Sequence, residues 1–331
     1  MQHQHDQHFR RDRRLLQDKP LQKGKYKRRG FCLSLLIIMP FNLYQEDKFN
    51  LGGYTLLVQE EGITLRDWPH PFYTPFRTQK PADIRFLLKR VSKLPPAGKN
   101  TRLLFDAAPN WELYKENGHL RLDLFDSHTK RKNRTAFLAP DFSSAKVYLD
   151  REKWHTQKVM RPLLEILALN FLAPKQGLLI HGAAIRDHDR AYVFIGPSGA
   201  GKTTMSCFWG SKEGDYEVLG DERIILRKES GKWFVYGTPW PGMGFVVSGK
   251  KMPLSNIFFI RHGKKNQVIS ASPSILYQEL FTQVFSSFWD ENMLSNIAAT
   301  CEDLISEVPS YQLAFTKNAS VADFVSGFCR K

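Results

Sequence analysis

The chain has 331 residues, 42% of them hydrophobic and 24% charged, an ordinary globular composition with enough length for one large domain or two moderate ones, which sets aside a disordered chain, a fibre and a disulfide scaffold. The net charge of +15, from 48 Lys and Arg against 33 Asp and Glu, is unevenly placed: ten basic residues from Arg10 to Arg29 face only Asp6, Asp12 and Asp18, so +7 sits in the first thirty residues. The remainder is mildly basic, and with no basic stripe interleaved with aromatics it does not read as a nucleic-acid binder.

The first segment, residues 1–38, combines histidines, a basic run and the apolar stretch that opens at Phe31. It has the n-region and h-region of a signal peptide without a small-residue cleavage site. Three readings stay open: a dispensable upstream extension with a start at Met39, a membrane-surface or partner-binding arm, and an export signal. The apolar run from Phe31 to Phe41 is about half the ~20 residues that span a bilayer, so no transmembrane segment is expected. Cys32, Cys207, Cys301 and Cys329 match no zinc or redox spacing and read as free thiols of a reducing cytoplasm.

Residues 39–158 read as a β-rich module. Apolar runs at Tyr54–Val58, Arg102–Phe105, His119–Leu124 and Ala145–Leu149 alternate with turn residues and predict strands. Trp68-Pro69-His70-Pro71 and Leu94-Pro95-Pro96 interrupt them, and Pro81–Lys93 is expected to be a helix. The basic run His128–Arg134 is expected to be a solvated hairpin end, with a phosphate or acidic-peptide contact as the other reading.

A core domain is expected over 159–331. Leu163, Leu164, Ile166, Leu167 and Phe171 recur at helical spacing until Pro174 and Gly177 end the helix. Gly177–Ile185 predicts a buried strand, Arg186–Arg190 a turn and Ala191–Ile195 a second strand, together a hairpin. Gly196-Pro-Ser198-Gly199-Ala200-Gly201-Lys202-Thr203-Thr204 then fits the phosphate-binding loop G-x-x-x-x-G-K-[ST]. Glycines allow backbone N–H groups to turn inward around phosphates, the following helix adds positive dipole, Lys202 reaches the β- and γ-oxygens, and Thr203 offers a hydroxyl to Mg²⁺. Met205, Phe208 and Trp209 are spaced to form one buried helix face.

Nineteen residues after Lys202, the strand from Tyr216 ends in Asp221-Glu222-Arg223. Only one helix fits between loop and carboxylates, which suits a small phosphotransferase core better than a transporter or motor ATPase. One carboxylate can hold the metal while the other orients or deprotonates an acceptor hydroxyl. His181, alone on an apolar strand, joins the candidates because of this context. A hairpin through Glu229-Ser-Gly231 feeds Gly237-Thr-Pro-Trp240-Pro-Gly242, a rigid loop that shapes a pocket or serves as a structural turn. Arg261–Lys265 is expected to be an exposed hairpin tip, an anionic-substrate clamp being the other reading. Helices near Ile275–Phe285 and Met293–Ile305 provide support.

The order His-Gly-Ala-Ala-Ile, Gly-Pro-Ser-Gly-Ala-Gly-Lys-Thr, Leu-Gly-Asp-Glu-Arg and Gly-Thr-Pro-Trp, from about Gly177 to Gly242, resembles the HPr kinase family within the phosphoenolpyruvate-carboxykinase-like P-loop group, and looks most like its peptide-modification serine kinases. The resemblance implies an α/β P-loop core behind the β-rich module, ATP and Mg²⁺ as nucleotide and cofactor, and a Ser or Thr acceptor on a peptide or small protein. It makes His181 the histidine near the phosphates, Lys202 and Thr203 the phosphate and metal residues and Asp221 the general base. Glu222 stands where a second aspartate is usual, and the downstream signature that accompanies dephosphorylation and hexamer formation is missing. The expected activity is γ-phosphoryl transfer from ATP; a nucleotide-binding regulatory module without transfer, and a small-molecule kinase, are the rival readings.

Overall fold

The computed structural model describes residues 45–330 apart from Arg66, Ser127 and Glu152. The basic leader with Cys32 lies outside the described residues, as do residues 39–44 of the expected β-rich module. Among the described residues the fold is mixed α/β, with two eight-stranded sheets and six α-helices, and no helix is long and apolar enough to cross a membrane.

The first sheet takes β1 (Gln45–Leu51), β2 (Tyr54–Glu61), β4 (Ile84–Arg90), β5 (Arg102–Ala107), β6 (Trp111–Glu116), β7 (His119–Phe125), β8 (Lys132–Leu138) and β9 (Ser144–Leu149) in the order β1-β2-β4-β9-β8-β7-β6-β5. Short β3 (Thr64–Leu65) and β10 (Lys153–Trp154) pair in parallel beside it. The helix expected over Pro81–Lys93 is instead β4, held between β2 and β9 by parallel ladders on both sides. The apolar run Phe86-Leu87-Leu88 is too short to declare a period, and Ile84, Phe86 and Leu88 bury one face with a period of two. The β7–β8 hairpin carries the basic run, but only part of it is solvated: Asn133 and Arg134 are buried.

Helices α1 (Thr156–Met160) and α2 (Leu163–Leu172) lead into β11 (Gly177–Asp187) and β12 (Arg190–Ile195), which form the expected hairpin. Then follow α3 (Lys202–Gly210), β13 (Tyr216–Gly220), β14 (Arg223–Glu229), β15 (Lys232–Tyr236), β16 (Lys251–His262), β17 (Gln267–Ile269), α4 (Pro273–Phe281), α5 (Glu291–Glu307), β18 (Ser310–Phe315) and α6 (Ser320–Cys329). The long strands β11 and β16 each join three ladders, β11 with β12, β13 and β14, and β16 with β12, β15 and β18. Through β14 and β15 on one side, and β12 on the other, the pairing closes into a ring. Arg261–Lys265 does not form a hairpin tip, because β18 lies between β16 and β17 and pairs with both.

Successive residues of β12 enter different cores. Val193 and Ile195 pack with Leu276, Leu280, Ile297 and Leu304 of α4 and α5, whereas Tyr192 and Phe194 pack with Met205, Trp209 and Val321 of α3 and α6. Helices on both faces explain why these strands are apolar without alternation. A third core joins the first sheet to α2 and to Leu179, Ile225 and Trp240.

Candidate active site

The loop Gly196–Gly201 crosses from the end of β12 to the start of α3, with β16 running parallel alongside. Gly199 and Gly201 have φ of +82° and +108°, in the left-handed region that disfavours a side chain. At Gly201 a Cβ would also lie 2.5 Å from the Phe315 ring. Ser198 and Gly199 are exposed at the tip, Ala200 packs inward, and Thr203 and Thr204 follow Lys202 in the first turn of α3, with Thr203 exposed. Met205 and Trp209 are buried and Phe208 half-buried, the face expected from their spacing.

Lys202 is 6% exposed, and its Nζ donates to the carbonyls of Gly196 and Pro197 at 2.7 and 3.1 Å. The ammonium is thus folded over the mouth of its own loop. Burial lowers its pKa, opposed by the negative charge of Glu222.

Strand register assembles the rest. His181 on β11 is opposite Arg223 at the start of β14, and the Gly182 amide donates to the Glu222 carbonyl at 3.1 Å. His181 Nε2 lies 3.6 Å from Glu222 Oε2. Burial first, and then the Lys202 charge, hold the imidazole below its ordinary pKa, with Glu222 pulling the other way. Arg223 Nη1 reaches Glu222 Oε1 at 3.4 Å and its Nε donates to Glu165 Oε2 at 2.9 Å. Glu222, with a side chain 34% exposed, is the open carboxylate of the pair.

Asp221 is different, being 1% exposed. Its Oδ1 accepts from the Gly242 amide at 2.9 Å and its Oδ2 from the Gly244 amide at 2.7 Å. A Cβ at Gly244 would lie 2.5 Å from Oδ2, so this close approach requires glycine. The preceding Gly237–Trp240 turn is structural: Thr238 Oγ1 donates to the Arg223 carbonyl at 2.6 Å, and Trp240 is fully buried.

Three contributors were not singled out from the sequence. Glu165, the one charge in the apolar run of α2, is buried between Arg161 Nε at 2.5 Å and Arg223 Nε at 2.9 Å. A lone acid inside an apolar helix is a readable signal. Gln283 accepts the His181 amide through its carbonyl at 2.8 Å, a contact no local pattern announces. His262, flagged only as part of a tip, places Nε2 3.1 Å from the Gly199 carbonyl.

Three clefts adjoin one another through shared walls. One lies by the phosphate loop, with Gly196, Ala200 and Gln283 in its lining. The second shares Gln283 with it and passes His181, Phe285 and Trp289 to Glu165. The third shares Trp111, Pro162 and Glu165 with the second and ends among basic side chains. Among the described residues no group of three His, Cys, Asp or Glu side chains is arranged to hold a metal ion. A scan against protein-family models finds no match for this chain, and a search of the curated proteins finds none.

Proposed function

We propose that the chain is a cytoplasmic P-loop phosphotransferase of the HPr-kinase-like type, moving the γ-phosphoryl group of ATP to a Ser or Thr hydroxyl of a peptide or small protein. The observation that carries this reading is the convergence of a glycine loop on a helix N-terminus, a buried lysine and the His181–Glu222–Arg223 cluster on adjoining strands. Loop amides and the α3 dipole receive the phosphates, and Lys202 exchanges its two carbonyl partners for phosphate oxygens. His181, whose pKa burial and Lys202 hold below the ordinary value, offers a hydrogen bond beside the transferring group.

Magnesium holds few protein ligands and completes its shell with water and phosphate oxygens. The exposed Thr203 hydroxyl and the open Glu222 carboxylate fit that donor set, whereas both Asp221 oxygens are already hydrogen-bonded. Bound there, the ion neutralises charge on the phosphates. Asp221 is assigned to the acceptor hydroxyl, a role open to it once the Gly242 and Gly244 amides release it.

That engagement of Asp221 favours a second reading, in which the chain binds nucleotide and does not transfer phosphate. Acceptor-dependent ATP turnover separates the two. The wild-type chain is expected to phosphorylate a serine peptide, and Lys202→Met to reduce transfer by roughly 10³-fold or more while retaining the fold. Wild-type transfer by Lys202→Met would remove this loop from the chemistry; binding of ATP with no transfer to any hydroxyl acceptor would establish the second reading.

A further inference from the structure

The third of these clefts, with a volume of about 590 Å³, lies between the β6–β8 side of the first sheet and α1. Its walls carry Arg134, Arg151, Lys153, Lys158, Arg161 and Arg223, against the carboxylates of Asp126 and Glu165 alone. Those two are occupied. Glu165 is shared by Arg161 and Arg223, and Asp126 Oδ1 caps the β7–β8 turn by accepting from the amides of His128 and Thr129.

The excess positive charge is built in rather than scattered. Arg134 is 7% exposed, its guanidinium held by Asn133 Oδ1 and the Lys158 carbonyl, and among the described residues no carboxylate lies within ion-pair distance of it, of Lys153 or of Lys158. Asp126 and Asp150 act on its charge only from beyond ion-pair distance, so the buried guanidinium lacks a contacting counter-ion, and an anion seated beside it recovers part of the cost of burial. The aromatic side chains here do not suit a stacked base: Trp154 is covered by Arg134 and Arg151, and Trp111 packs on Phe105 and Trp289. Nucleic acid therefore has charge to meet but no free tryptophan face to stack on. Through Trp111 and Glu165 the same space continues along the aromatic groove to His181.

Resting on the phosphotransfer reading for what happens at its far end, we propose that this cleft is the docking site for an acidic segment of the peptide acceptor. Aspartate or glutamate side chains pair with Arg134, Lys153 and Lys158, and the chain runs past Trp111 along the groove to bring its hydroxyl past His181 to Asp221. Selectivity thus comes from carboxylates a few residues from the acceptor serine.

The test uses the full chain and two fluorescein-labelled serine peptides, one with a run of aspartates and one with asparagines in their place. Fluorescence anisotropy reads binding, and ³²P transfer from ATP is measured in parallel. The aspartate peptide is expected to bind at least roughly tenfold more tightly, with an advantage that shrinks as salt rises. Lys153→Glu combined with Lys158→Glu, both at exposed positions, should abolish that preference. Equal binding of the two peptides, an unchanged preference in the double variant, or displacement by a single-stranded oligonucleotide at lower concentration than by unlabelled aspartate peptide overturns the proposal. Selective binding without transfer upholds the cleft and rejects phosphotransfer; transfer to both peptides with equal KM upholds phosphotransfer and overturns the cleft.

Discussion

Replacing Asp221 by Asn probes a residue on which stability and chemistry both depend. The carboxylate accepts two backbone N–H groups, from Gly242 and Gly244, in a site 1% exposed. An asparagine can offer its carbonyl oxygen to one of them and must turn its NH₂ toward the other. One charge-assisted bond is lost, one buried amide is left without an acceptor, and the surviving bond becomes neutral. At ~1.5–3 kcal/mol for a hydrogen bond to a charged group, with a similar penalty for an orphaned donor, the cost at the lower end of both is about 3 kcal/mol. At ~2–4 °C per kcal/mol for a unit of this size, Tm drops by roughly 6–12 °C. Scanning calorimetry of the full chain measures it, and limited proteolysis should show new cleavage near Met243 and Phe245, which are already exposed. Glu222→Gln is the control: an exposed ion-pair partner is worth under about 1 kcal/mol. A Tm for Asp221→Asn within a degree of wild type would refute the clamp, and the assignment of Asp221 would then be catalytic alone. If the clamp holds, transfer measured well below the new Tm should still fall by roughly 10²–10⁴, with ATP affinity nearly retained.

Glu222 supplies the negative charge that props up the His181 pKa, so Glu222→Gln should lower it further and Lys202→Met should raise it, as read from imidazole NMR shifts against pH; opposite movements would mean that the three side chains do not share a site. Glu222→Gln should also raise the Mg²⁺ concentration needed for half-maximal transfer. Far from the site, Glu60 is buried on β2 with Oε1 unpartnered, and burial pushes its carboxyl from 4.5 up to about 7. The folded chain therefore binds more protons than the unfolded one across that window, and this contribution to stability is lost as pH rises through it. Glu60→Gln should gain up to about 3 kcal/mol over wild type at pH 8 and little at pH 5 in urea unfolding; an equal gain at both pH values would contradict the buried-acid account.

Features written in consecutive residues could be read without the structure. The phosphate loop, the β11–β12 hairpin and the apolar faces of α2 and α3 all depend on spacings of a few positions. Pro81–Lys93 could not, since three adjacent apolar residues fit either period and the decision came from neighbours on β2 and β9. The same holds within the site. That Asp221 and Glu222 mark a strand end was legible, but the amides that engage Asp221 come from 21 and 23 residues downstream, and the Glu165 that holds Arg223 lies 58 residues upstream. Arg134 shows the limit of composition as a guide: inside a run that reads as solvated, one arginine is turned into the protein by its position on a paired strand.

All ten residues of α2 are buried, Glu165 and Asn170 included. The helix shares one core with Phe86 and Val147 of the first sheet and with Leu179 and Ile225 of the second. It therefore acts as a party wall, with no outside face of its own. A gene fragment opening at residue 159 would encode the phosphate loop and its carboxylates intact, yet begin with a greasy segment stripped of its covering, and its product would self-associate before any chemistry could be measured. The same constraint binds evolution: a lineage that discards the first sheet must repaint one side of this helix with polar residues in the same stroke, and must find another anchor for Glu165.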